Sequence, residues 1–341
     1  MRQPVFPDGH AARDRFVTSL RHGRPVHDPW RSHAVIVEHE PTETGTIAHV
    51  ATVFLTGREC PWRCVMCDLW QYTTDTDTPR GAIASQTMAA VTWLADEHPD
   101  VTRIKLYNAG SFFDPRAVPE QDYEAVAEAV APYDRVIVES HPALIGPRTR
   151  TFLTALLQHR DRSTMEGPVL EVAMGLETVH PLALDRINKR MTVDDFSRAA
   201  STLADMGVAL RVFLLVAPPF IEPAEQDEWL MRSINTALAC GATAVSLIPT
   251  RHGNGAMDRL ASDGAFTPPH LRDLERSFAL ALTRPPRPAG ARVFADIWDL
   301  EPFASCLHCL PERRDRLRTM NLEQRPQAAV VCIHCEGDND R

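Results

Sequence analysis

The stretch Cys60-Pro-Trp-Arg-Cys64-Val-Met-Cys67 decides how the rest of the chain reads. Three thiols fall within eight residues at the spacing C-x3-C-x2-C, directly after an apolar run over residues 50–55 that predicts a strand. Three thiolates on one loop can hold three irons of a four-iron, four-sulfur cluster. The fourth iron then keeps an open position, which a cluster that only passes electrons does not need. Zinc is the competing reading, and it needs a fourth Cys or His. His49 lies one strand upstream, and no histidine lies between Cys67 and His98.

The composition sets the bounds. A chain of 341 residues with 44 % apolar content can bury one large core and a small second unit. No apolar stretch approaches the roughly 20 residues that span a bilayer, so no membrane partner is expected. Residues 1–25 are polar and Pro-rich, which does not read as a secretory signal. A cytoplasmic protein is expected, and its eight cysteines then read as metal or cluster ligands rather than disulfides. The formal charge of −9 gives no global attraction to nucleic acid. Lys105 and Lys189 are the only lysines.

Residues 1–45 carry little periodicity and read as an N-terminal arm, with a short edge strand at Val35-Ile-Val37. From residue 46 to 282 strands and helices alternate. Strands are expected over 50–55, 103–107, 135–139, 170–174, 210–216 and 244–248. Helical spacing marks the segments between them, with Met88, Val91 and Leu94 inward on the first, and with a helix capped by Asp194 and ended by Gly207. Six strand–helix units with near-continuous apolar strands imply an α/β fold, a parallel sheet with helices outside. In barrels of this kind the working groups sit after the C-terminal ends of the strands.

Those positions hold Asn108-Ala-Gly110-Ser111, Glu139-Ser-His, and Gly175-Leu-Glu177. Gly110 permits a close backbone approach or a positive φ. The two carboxylates can accept hydrogen bonds from hydroxyls or an ammonium; each could instead be an ion-pair partner of Arg211 or Lys189. The loop Pro249-Thr-Arg-His-Gly-Asn254-Gly255 is Gly-rich and basic. It reads either as an anion-binding loop or as plain surface.

C-x3-C-x2-C after a first strand resembles the signature of the radical S-adenosylmethionine (SAM) superfamily. The blocks Lys105 to Asp114, Val138-Glu-Ser140, Gly175-Leu-Glu177, Ile187-Asn-Lys189 and Leu214 to Phe220 are similar to one branch, the archaeosine synthase radical SAM subunit and, more distantly, the elongator catalytic subunit. The resemblance covers residues 46–275. It implies a partial (βα)6 TIM-like barrel and a [4Fe-4S] cluster on Cys60, Cys64 and Cys67. It also implies SAM bound near Asn108, Gly110, Ser111, Glu139 and Glu177, with Asn-Ala-Gly-Ser standing where the family usually has Gly-Gly-Glu. An electron donor such as flavodoxin or ferredoxin is implied too. The substrate class it suggests is a tRNA nucleoside; a small metabolite is the alternative.

Residues 283–341 read as a linker followed by a small four-cysteine module. Cys306-Leu-His-Cys309 and Cys332-Ile-His-Cys335 are two C-x2-C pairs separated by 22 residues. Four thiolates suit structural zinc or a second Fe–S cluster, and spacing does not separate them. His308 and His334 read as bystanders, and Cys240 as a core thiol. Arg313, Arg314, Arg316 and Arg318 suggest either a solvated helical face or a grip on RNA phosphates. A non-enzymatic zinc module contacting nucleic acid or protein is the competing function.

Overall fold

The structure, a computed structural model, describes residues 6–159, 168–283 and 287–335. Eight strands form one sheet in sequence order: β1 (Ala34–Pro41), β2 (Ile47–Leu55), β3 (Val101–Asn108), β4 (Arg135–Glu139), β5 (Val169–Glu177), β6 (Ala209–Val216), β7 (Ala242–Pro249) and β8 (Arg292–Ala295). β1 is antiparallel to β2, and every later pair is parallel. α1 (His10–Ser19) precedes the sheet. The crossovers are α2 (Ala82–Glu97), α3 (Tyr123–Val130), α4 (Pro147–Gln158), the pair α5 (Pro181–Arg186) and α6 (Val193–Asp205), α7 (Gln226–Ala239), and the pair α8 (Ala256–Ser262) and α9 (Leu271–Thr283). α10 (Leu310–Glu323) touches both β1 and β8. The two edges of the sheet therefore face one helix, and the sheet is curled into a partial barrel.

The six expected units are β2 to β7. β1 is longer than the short edge strand expected, and β8, a seventh parallel strand, forms where the sequence reads a further strand over Ala291–Asp296. β5 runs to Glu177, three residues past the expected end, so that carboxylate belongs to the strand and not to a loop.

The outer face of the sheet is apolar. Ile104, Leu106, Val136, Val138, Val172, Val212 and Leu214 are fully buried beneath Leu94, Val126, Phe152, Phe196 and Phe278. On the first crossover helix Met88 faces solvent, contrary to its expected inward position; Ala84, Thr87, Ala90 and Leu94 make the buried stripe instead. α6 is capped by Thr192, not Asp194. The Thr192 hydroxyl accepts from the Asp195 N–H at 3.1 Å and Asp195 accepts from the Thr192 N–H at 2.8 Å, the reciprocal capping box. Gly207 follows it with φ 69°, as a left-handed helix end requires.

The inner face is charged below and aromatic above. Lys105 meets Glu40 at 2.6 Å; Arg211 meets Glu40 at 2.8 Å and Glu171 at 2.7 Å; Arg135 meets Glu171 at 2.7 Å and Glu43 at 2.9 Å. One register step nearer the mouth, Tyr107, Ile137, Ala173, Phe54 and Phe213 form an apolar layer. Ion pairs thus plug the closed end, and the polar groups of interest stand above the aromatic layer.

The free edge of β8 is blocked by side chains of α10 and its cap. Asn321 exchanges two hydrogen bonds with the Ala295 backbone, at 2.8 and 2.9 Å, and Gln324 exchanges two with Val293, both 2.8 Å. Two amides copy a strand partner without adding one, which protects an edge from pairing with another chain. Among the described residues no helix is long and apolar enough to cross a membrane.

Candidate active site

The cysteine loop leaves β2 at the mouth of the barrel. Its start is fixed by Gln86 of α2, which accepts from the Thr56 N–H at 2.8 Å and donates to the Thr56 carbonyl at 2.8 Å. The loop after β3 lies directly on it. A Cβ on Gly110 would stand 3.0 Å from the Arg58 carbonyl, so glycine here serves close approach and not a positive φ. Ser111 is buried and its hydroxyl accepts from the His141 N–H at 2.9 Å. Asn108, also buried, has no protein partner for either side-chain amide atom.

Lys189 and Glu177 lie beside the thiols. The buried Lys189 ammonium is ion-paired with Glu177, and both fill the space that a Gly175 side chain would take. The pair depends on that glycine. Burial disfavours the Lys189 charge, but Glu177 and Cys64 outweigh it and raise its pKa. Glu139 lies within reach of the Lys189 charge; burial pushes its carboxyl up to about 8, with the Asn108 N–H and the Lys189 ammonium pulling it down. His141 stacks flat on Trp62 of the cysteine loop, with centroids 3.7 Å apart. Its Nδ1 accepts from the Ala143 N–H at 3.1 Å, so Nε2 carries the proton and donates to the Lys189 carbonyl at 3.0 Å. Burial and the Lys189 charge push this imidazole down to about 3, so it is neutral.

Burial also pushes the thiols up. Cys64 rises to about 12 against the pull of Lys189, and Cys60 and Cys67 are raised as well. Free, they stay protonated at neutral pH; as ligands they must release their protons to a metal. The set fits an iron–sulfur group: three soft donors on one loop, largely dry, with a fixed cation beside them. The neighbouring polar set fits SAM in kind, with a partnerless buried amide at Asn108, a tight backbone at Gly110 and two carboxylates.

The turn Ile187-Asn188-Lys189-Arg190 holds the loop's middle. The Val65 N–H donates to the Ile187 carbonyl at 2.9 Å, and the Asn188 amide donates to the Arg63 carbonyl at 2.9 Å. Asn188 and Arg190 both have positive φ, 61° and 58°, which costs non-glycine residues about 1–3 kcal/mol each and clusters at functional sites. From the other side Asn254 donates to the carbonyls of Val65 at 2.9 Å and Cys67 at 3.3 Å. The loop expected to bind an anion or lie free thus grips the cysteine loop instead. α1 lies over the assembly: Asp14 accepts from Asn188 at 2.8 Å, Arg13 pairs with Asp185 at 2.8 Å, and Val17 shares an apolar cluster with Val65 and Met257.

Of the expected ion pairs, Glu177–Lys189 exists, whereas Arg211 pairs with Glu40 and Glu171 and not with Glu139 or Glu177. Sequence reasoning missed His141, Asn188 and Asn254 as site residues, and Lys189 beyond its ion pair.

Far along the chain, Cys306, Cys309, Cys332 and Cys335 do meet. Their four sulfurs all lie within 4.8 Å of one another, Cys309 and Cys335 at 3.6 Å. Among the described residues no second group of three or more Cys, His, Asp or Glu donors is drawn so close. His308 and His334 stack on each other at 4.3 Å. The four arginines of α10 are engaged: Arg313 and Arg316 with Glu275 of α9, Arg314 with Glu301, Arg318 with Asp315.

No family model matches the sequence. The chain is 26 % identical over 307 residues to archaeosine synthase subunit beta of Methanosarcina acetivorans, covering 86 % of this chain and 84 % of that protein. The protein of the same name from Thermococcus kodakarensis is 25 % identical over 173 residues, 49 % of this chain and 51 % of that one. In fold the chain is similar to archaeal Elp3 of Methanocaldococcus infernus, solved with residues 1–46 deleted: TM-score 0.52 at 15 % identity, over 85 % of this chain. This chain spans 66 % of that one, just under two thirds. The fold is the expected partial barrel, and the similarity to archaeosine synthase subunit beta runs through 86 % of the chain.

Proposed function

We propose that this chain, which groups with the radical SAM enzymes in sequence and fold, cleaves SAM reductively and acts on a nucleoside of tRNA. The observation that carries the reading is the convergence of Cys60, Cys64 and Cys67 with Lys189 and Glu177 at the barrel mouth, with Glu139 within reach of the Lys189 charge. A [4Fe-4S] cluster with bound SAM would supply a 5′-deoxyadenosyl radical that takes a hydrogen atom from substrate. The three cysteines hold the cluster. Lys189 offsets the negative charge of their thiolates. Gly110 brings the backbone after β3 close to the loop, and Asn108 and Ser111 flank it. Glu139 and Glu177 offer acceptors for the hydroxyl and ammonium groups of SAM. α1 and the Trp62–His141 stack keep water from the loop. A one-electron donor such as flavodoxin or ferredoxin is required, and a cytoplasmic setting suits it.

The C-terminal cysteines hold zinc in this reading. Zn–S bonds of about 2.3 Å put tetrahedral sulfurs about 3.8 Å apart, which the 3.6 Å separation of Cys309 and Cys335 resembles. Thiolates on four different irons must enclose a whole cube and stand farther apart. The tRNA substrate rests on the kinship with archaeosine synthase subunit beta. A small metabolite is the second reading, favoured by the −9 charge and by the internal pairing of the arginines of α10.

Alanine at any one of Cys60, Cys64 or Cys67 should abolish 5′-deoxyadenosine formation; a variant that still makes it would end the reading. Purified protein should carry tRNA that leaves as salt rises, and its absence would favour the metabolite.

A further inference from the structure

We infer that Asn188 and Asn254 are positioning residues that clamp the Cys60–Cys67 loop from opposite sides and set the geometry in which its thiols meet iron. The inference rests on the iron–sulfur reading of that loop. Asn188 is fully buried and Asn254 nearly so. Between them they take the carbonyls of Arg63, Val65 and Cys67, every second residue around Cys64. The Asn188 side chain also binds Asp14 at 2.8 Å and lies 3.1 Å from His10, which ties the loop to α1. The Asn254 oxygen accepts from the Met257 N–H at 2.8 Å, which anchors it at the start of α8.

The chemistry explains the residue type. The loop presents carbonyls inward, so each clamp must donate. Each also accepts: the Asn254 oxygen from the start of its own helix, and the Asn188 oxygen from His10 of α1. A primary amide does both without charge; a carboxylate would aim negative charge at carbonyls, and an ammonium would have no acceptor. Neither asparagine touches a thiol, so each acts through the backbone. Buried polar contacts of this kind fix one geometry when every member is satisfied.

The test uses Asn188→Asp and Asn254→Asp, which keep size and the accepting oxygen but lose the donor, with Asn254→Ala as a second variant. Hydrogen exchange read by mass spectrometry on the metal-free full chain should quicken at least tenfold in the peptide covering residues 60–67 and stay within twofold of wild type in peptides from β3 to β5. After anaerobic reconstitution the variants should hold less than half the wild-type iron, with a broadened electron paramagnetic resonance spectrum on reduction. Exchange within twofold of wild type at residues 60–67, with full iron, would overturn the inference. So would equal quickening in β3 to β5, which would make the residues general supports of the fold. If the wild type takes up no iron while the loop peptide still quickens, the clamp stands and the cluster reading fails.

Discussion

Glu171→Gln keeps the size of a fully buried side chain and removes only its charge. The carboxylate takes Arg135 Nη1 and Arg211 Nε, each at 2.7 Å. Arg211 is shared with Glu40, and Arg135 with Glu43. In the whole inner network five cations (Arg103, Lys105, Arg135, Arg211 and Arg292) stand on four carboxylates (Glu38, Glu40, Glu43 and Glu171), and the swap raises the excess positive charge from one to two. Removing one partner of a buried pair costs about 3–5 kcal/mol. The glutamine oxygen still accepts one bond, so the lower half of that range, about 3–4 kcal/mol, is expected at pH 7. Burial works against the Glu171 carboxylate, but Arg211 and Arg135 outweigh it and hold its pKa low. Glu43 is likewise brought down to about 2 despite burial, by its own backbone N–H, Arg135 and Arg292. A lowered carboxylate pKa contributes stability above the unfolded value of about 4.3, and the contribution is lost as pH falls through the folded value. Urea titrations followed by circular dichroism at pH 7 and pH 3 should therefore show a gap between wild type and variant that narrows in acid. A difference under about 1 kcal/mol at pH 7, or a gap that widens at pH 3, would refute the reasoning.

Lys189→Met leaves the Glu177 carboxylate buried and unpaired beside the thiols. Iron retained after reconstitution should fall severalfold, and adding Glu177→Gln should restore part of it; no fall would remove Lys189 from the site. Gly175→Ala drives a methyl group into the Lys189–Glu177 pair and should cost about 1–3 kcal/mol, read as a lowered urea midpoint with unchanged slope. Cys309→Ser should empty the C-terminal site of its metal by elemental analysis and lower the melting temperature by several degrees. The iron content of the loop site should stay at the wild-type level.

The cysteine loop and the six repeats were legible because both signals are local: fixed spacings in one case, a strand or helix period in the other. The C-terminal sulfurs were legible for the same reason, pair by pair. The inner charges were not. Lys105, Arg135, Glu171 and Arg211 look out of place on apolar strands, and only the curl of the sheet brings Arg211 to Glu40, 171 positions away. The clamps are similarly remote, Asn188 lying 125 residues from Arg63 and Asn254 lying 189 from Val65. One missed signal was present: Thr192-x-x-Asp195 is a capping box, which starts α6 two residues earlier than an Asp194 cap would. It also confines Asn188 to Arg190 to a turn.

In the proposed function Cys60, Cys64 and Cys67 hold a SAM-cleaving cluster while Cys306, Cys309, Cys332 and Cys335 hold zinc. The most direct test is to purify the chain without oxygen, count iron, sulfide and zinc, and add SAM with a reductant. About four irons and one zinc per chain are expected, with 5′-deoxyadenosine formed. Zinc alone, with SAM untouched after iron–sulfur reconstitution, would contradict that function.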